Sequence, residues 1–166
     1  MKQHWEILIA ILDEMLALYQ AILTLSQEKR TILVAADGQK LEQITKQEEL
    51  LILQAGKLEN QRIAKLKEIS GAGGVLPDDI TLEKMIELAD EASAKRLTLI
   101  GSEFDKVLAE LVKINQVNTQ LIQRALTFVN YNINILAQSE SGSTYAPKGQ
   151  TGEKPAPARA LFDHKV

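Results

Sequence analysis

Ile114-Asn115-Gln116-Val117-Asn118-Thr119-Gln120-Leu121-Ile122-Gln123-Arg124-Ala125-Leu126-Thr127-Phe128-Val129-Asn130-Tyr131-Asn132-Ile133-Asn134-Ile135-Leu136 decides the fold of this chain. Across these 23 residues Arg124 is the only formal charge, while the apolar residues return at steps of three and four. That period is helical. The polar side of the helix is amide: Asn115, Gln116, Asn118, Gln120, Gln123, Asn130, Asn132 and Asn134. A helix facing bulk water usually carries Lys and Glu on its outer side. One with an apolar stripe and a neutral polar back is built to be covered.

The same spacing extends upstream. Ile100, Phe104, Val107, Leu111, Ile114, Asn118, Leu121, Ala125, Phe128, Asn132 and Ile135 keep it for five heptads. Gly101-Ser102 is the weak point of this series, where a kink or break is expected. Thr81, Asp78 or Asp79 caps the start of the third helical segment, which passes Leu82, Met85, Ile86 and Ala89 and continues to about Gln138. Before it, Gly71-Ala72-Gly73-Gly74-Val75-Leu76-Pro77 reads as a loop. It lacks the Gly-Lys-Ser/Thr ending of a phosphate-binding loop.

Two more helices precede that loop. The first is expected from about Gln3 to Ala36, with Trp5, Leu8, Leu12, Met15, Tyr19 and Ile22 on one seam. Flanking rows Ile9-Leu16-Leu23 and Ile11-Leu18-Leu25-Ile32 widen its stripe, so it needs at least two neighbours. Asp37-Gly38 is a turn signal, with Gly tolerating positive φ and Asp capping the second helix. That helix spans about Gln39 to Ser70, facing Leu41, Ile44, Leu51, Ala55, Leu58, Leu66 and Ile69 inward. A short turn makes the two antiparallel. Residues whose numbers sum to about 75 then lie opposite one another, as the turn is centred near Asp37. This sets Glu48 and Glu49 near Lys29 and Arg30, and Arg62 near Asp13 and Glu14.

Composition agrees with an all-α, elongated helical bundle or coiled coil. The chain has 45% hydrophobic, 25% charged and only 4% aromatic residues, and three of its four prolines follow position 146. At 166 residues it is long enough for one domain with its own core. The expected division is a helical domain over 1–138 and a flexible tail over 139–166, where Ser, Gly, Pro and Lys dominate. The Leu161-Phe162 terminus is a small apolar island in that tail. A net charge of −3 and the lack of a Lys/Arg cluster argue against nucleic acid. Cysteine is absent, which fits a reducing cytoplasm. Asp13 and Glu14 interrupt the apolar run Ile7–Leu12, so neither a signal peptide nor a transmembrane helix is expected.

Catalytic groupings are not legible. The two histidines, His4 and His164, stand at opposite ends of the chain. No Glu-x-x-His provides the nitrogen ligands of a di-metal bundle. Glu48 and Glu49 are adjacent and point about 100° apart on a helix, a poor pair for acid–base work. The expectation is a protein that binds rather than catalyses, without metal or cofactor.

The chain resembles the FlgN family of flagellar type III export chaperones. The likeness rests on the long amphipathic first helix, Asp37-Gly38, Gln47-Glu48-Glu49-Leu50-Leu51 and Leu58-Glu59-Asn60-Gln61-Arg62. It continues through Asn115-x-x-Asn118 with Leu121-Ile122, and Tyr145-x-x-x-Gly149. The resemblance implies a cytoplasmic chaperone for the hook–filament junction proteins FlgK and FlgL. It would hold their C-terminal helical segments, block premature assembly and deliver them to the export gate protein FlhA. It further implies that the last helix holds the cargo and that a C-terminal tyrosine docks on the gate. Tyr145 matches that position, with Tyr131 as second choice.

The residues themselves are compatible with such capture. Helix-in-groove binding uses anchors at i, i+3, i+4 and i+7. Leu121, Ala125, Phe128 and Ile135 supply one line, flanked by Ile122, Leu126, Val129, Ile133 and Leu136. Asn118 and Asn132 occupy seam positions, where an amide favours one register at a cost in stability. Geometry leaves two alternatives. An unbroken helix from about Glu91 to Gln138 measures about 70 Å and overruns the hairpin by about 20 Å, whereas a break at Gly101 leaves about 55 Å and almost no overrun. The competing function is a self-associating structural coiled coil, in which homodimerisation covers the stripe; a weak homodimer is also compatible with the chaperone reading. A membrane-surface role fits poorly, because the polar face lacks lysines.

Overall fold

The computed structural model describes residues 2–73 and 81–141, with side chains over 2–71 and 81–138. Among the described residues there are four helices and no strand: α1 Lys2–Ala35, α2 Gly38–Gly73, α3 Leu82–Leu88 and α4 Glu91–Ser141. The chain divides into two compact units, residues 1–128 and 129–166.

In the first unit, α1 and α2 form the expected antiparallel hairpin. Its core joins Trp5, Leu8, Leu12 and Met15 of α1 to Leu66 and Ile69 of α2, Met85 of α3, and Leu97 and Ile100 of α4. Trp5, Leu8 and Leu97 are essentially sealed from water. Burial of a side chain of that size contributes about 2 kcal/mol. A second cluster sets Leu16 against Val107 and Leu111, with Tyr19, Ile22, Leu23, Phe104 and Ile114 packed around it. The Tyr19 and Phe104 rings meet edge to face, with centroids 5.7 Å apart. The wide stripe on α1 is explained by these two neighbours, α2 on one side and α4 on the other.

The hairpin turn works differently from the expectation. The residue at positive φ is Ala36 (φ 54°), not Gly38. The Asp37 amide donates to Ile32 O at 3.2 Å and the Ala36 amide to Leu33 O at 3.3 Å. That pair closes α1 with the left-handed cap usually made by glycine. Gly38 becomes the first residue of α2, and Asp37 caps it by accepting from the Lys40 amide at 3.1 Å.

Interhelical charge pairing follows the expected register in one place and departs from it in another. Lys29 donates to Glu48 at 2.6 Å, across the hairpin and largely out of water. Arg62 does not reach Asp13 or Glu14. Its guanidinium makes a two-pronged bond to Glu59, one turn back on its own helix, and Asp13 instead accepts from Arg96 of α4. A fork three residues away loses less side-chain entropy than a reach across helices.

Helix boundaries also differ. Residues 71–73, expected in the loop, continue α2, and positions 74–80 lie outside the described residues. Thr81 caps α3, accepting from the Lys84 amide. The interruption downstream falls at Ala89–Asp90, and α4 then runs unbroken through Gly101. Asp90 caps α4, accepting from both the amide and the hydroxyl of Ser93. A Cβ at Gly101 would meet Cδ2 of Leu82 on α3, the end of an exposed side chain that would have to turn aside.

One window of α1 reaches mean hydropathy 1.8, enough by length and composition to cross a membrane. The Asp13–Glu14 interruption alone is therefore a weaker exclusion than expected. The core made by Trp5, Leu8, Leu12 and Met15 gives the helix's apolar residues another purpose.

Candidate binding surface

Within the first unit, α4 changes character along its length. Val107 and Leu111 are buried against α1. Further along, Asn118 is only 3% exposed, and its Nδ2 donates to the backbone oxygen of Ser26 at 2.9 Å. Asn118, expected on the binding surface, is used by the fold inside. Leu121 and Ile122 are half-buried, and Ala125, Leu126 and Phe128 are exposed, Leu126 at 57%.

The second unit, taken by itself, carries the rest of α4. Val129 is 50% and Ile133 53% exposed, and Tyr131, Ile135 and Leu136 are also open to solvent, while Asn132 is half-buried. Tyr145, like the Leu161-Phe162 terminus, lies outside the described residues.

The fold reveals a second helical line that periodicity alone did not single out. Leu108, Val112, Asn115, Thr119, Ile122 and Leu126 recur at steps of four and three in the first unit. Leu108 and Val112 are exposed and border an open groove with Asn115, Gln116, Thr119 and Gln120. Its signal is a series displaced by one position from the buried seam. The seam is the more conspicuous of the two because it continues further upstream.

Electrostatics along α4 match the amide-rich pattern. Among the described residues its ion pairs involve only Lys95, with Glu91, and Arg96, with Asp13. From Ile114 to Leu136 the helix presents apolar groups and neutral amides, apart from Arg124, whose field is screened within a Debye length of about 8 Å in physiological salt. Such a surface discriminates by shape and register more than by charge. Among the described residues, no three His, Cys, Asp or Glu side chains gather as a metal site would require.

Comparison with known proteins adds to this picture. The sequence model described as FlgN protein matches residues 1–153. A Bacillus subtilis (strain 168) protein described as "uncharacterized protein YvyG" is 27% identical over 156 residues, covering 93% of this chain and 94% of its own. No solved structure matches.

Proposed function

Because the chain belongs to the FlgN protein family, a family of flagellar export chaperones, we propose that it is a cytoplasmic escort for hook–filament junction proteins of the FlgK and FlgL type. It holds their C-terminal helical segments, keeps them from assembling early and hands them to the export gate protein FlhA. No step of this task needs catalysis.

The observation that carries the reading is the exposure of branched apolar side chains on α4. Leu126 belongs to the first unit, and Val129, Ile133 and Ile135 to the second; all are open to water. Apolar surface of this kind marks an interaction site in a soluble protein. Leu121, Ile122, Ala125, Phe128, Asn132 and Leu136 complete the proposed contact set, and Asn118 serves it indirectly by seating α4 on α1. Gate docking is assigned to Tyr145 by its place in the family pattern, with Tyr131, exposed on α4, as second choice.

The test uses synthetic peptides with the C-terminal sequences of both junction proteins. Leu126→Ser with Ile133→Ser should weaken peptide binding about hundredfold, at about 1–2 kcal/mol per lost anchor. Helix content and melting should stay near those of the parent. A protein that dimerises tightly and ignores both peptides would instead be a structural coiled coil.

A further inference from the structure

The second unit, residues 129–166, holds both an apolar line and a segment of sequence suited to cover it. Val129 is 50% and Ile133 53% exposed, one turn apart on α4, and Leu136 continues their line at i+7. From Val129 to Ser141 the one formal charge is Glu140.

Beyond Ser141, outside the described residues, Leu161-Phe162 is the one adjacent pair of large apolar side chains. It belongs to Pro157-Ala158-Arg159-Ala160-Leu161-Phe162-Asp163-His164-Lys165, a run with helical patterning. Ala158, Leu161, Phe162 and Lys165 fall on one face, at i, i+3, i+4 and i+7. The methylene stem of Lys165 can lie along that face while its ammonium reaches water. Pro157 suits a first helical position, where its missing amide leaves nothing unpaired. So short a helix is marginal in water and needs an apolar surface to form against.

The tether selects the occupant. Residues 142–156 join the two elements. A linker of that length has an r.m.s. span of about 20–25 Å. The way back along α4 from Ser141 to Val129 is about 18 Å. Matched lengths of this kind give an effective concentration in the millimolar range. A second copy at about micromolar concentration would have to bind about a thousandfold more tightly to take the same line. Charge is compatible in either sense of packing: Arg159 when antiparallel, or Lys165 when parallel, comes toward Glu140 and the negative end of the helix dipole. We infer that residues 157–165 fold back on the Val129–Ile133–Leu136 line of α4 and hold it until a cargo helix displaces them. The displacement rests on the chaperone reading; the docking does not.

Cysteine is absent from the chain, so a nitroxide attached through His164→Cys reports from one place. In the full-length protein it should broaden the methyl resonances of Val129, Ile133 and Leu136. Adding Leu161→Ser with Phe162→Ser to the same labelled protein should restore them. No broadening, or broadening at Leu50 and Leu53 in place of α4, overturns the inference. A mixture of isotope-labelled parent with isotope-free, spin-labelled protein separates the copies. Broadening passed to the parent in that mixture would give the line to a neighbouring molecule and overturn it too. For the displacement, peptides with the C-terminal sequences of the junction proteins should bind Leu161→Ser/Phe162→Ser about five-fold tighter than the parent. Equal affinity overturns the place-holding role. Peptides that bind neither protein would refute the chaperone reading, and the broadening would still decide the docking.

Discussion

Asn118 of α4 and Ser26 of α1 are joined by a hydrogen bond of 2.9 Å from the amide Nδ2 to the backbone oxygen, with both residues almost wholly buried. The other half of the amide is left out: its Oδ1 is buried without a hydrogen-bond partner. The contact therefore fixes where α4 sits on α1 more than it stabilises the pair. Asn118→Leu removes an unpaired acceptor and adds apolar contact. Chemical denaturation should show it more stable by about 1 kcal/mol, with looser register seen as broadened amide spectra. Asn118→Asp buries a charge opposite a carbonyl and should cost about 3 kcal/mol.

Gly101 and Leu82 form a second test of how α4 is seated. Glycine inside a helix costs about 0.5–1 kcal/mol relative to alanine. Here the missing Cβ leaves room for the end of Leu82. Gly101→Ala should accordingly yield little or no stabilisation in the parent. In a Leu82→Ala background the same change should add about 0.5–1 kcal/mol. A double-mutant cycle by urea unfolding reads the difference directly. Additive effects would show that α3 does not lean on this position.

How much of the fold is legible in the sequence depends on how far each partner lies along the chain. The Lys29–Glu48 bond is legible because a short turn at Asp37 fixes the hairpin register. Arg96 opposite Asp13 is not, since the connection before α3 is long and leaves the register of α4 open. Hairpin register points Arg62 at a distant carboxylate although Glu59 stands three residues away, a case of local geometry outrunning topology. The break before α4 does have a signature, Asp90-Glu91-Ala92-Ser93, whose aspartate caps from the Ncap position. Gly101 is the more conspicuous residue and masks it. On the binding surface, the apolar spacing from Ala125 onward is plain in the sequence. The inward turn of Asn118 is not, because periodicity places a residue on a stripe without telling which part of the stripe a neighbouring helix covers.

Ala36 bears the strain of the cap that ends α1. Its φ of 54° lies in the left-handed region, where a Cβ costs about 1 kcal/mol. The Asp37→Ile32 and Ala36→Leu33 backbone bonds hold it there. Ala36→Gly should relieve the strain and raise the free energy of unfolding by about 0.5–1 kcal/mol. Ala36→Val should do the reverse. Thermal melts of the three proteins establish the order, and a glycine variant less stable than the parent would mean that the turn relaxes in solution.

Acid should unfold this protein through its carboxylates. The Ser93 hydroxyl and amide hold Asp90 below its ordinary value of 3.8, and the Lys40 amide does the same for Asp37. Arg62 lowers Glu59 from 4.5, and Lys65 acts likewise on Glu68. A carboxylate depressed in the folded state binds protons more readily when unfolded, so it contributes stability above its unfolded pKa. That contribution is lost as pH falls from the unfolded value through the folded one. Melting temperature should thus hold level from neutrality down to the ordinary carboxylate range, then fall below it. Asp90→Asn should melt lower at neutral pH and show a shallower acid limb, since one of the linked protons is gone. A parent whose melting temperature rises on acidification, or an Asp90→Asn limb as steep as the parent's, would show that the cap carboxylate is not what acid attacks.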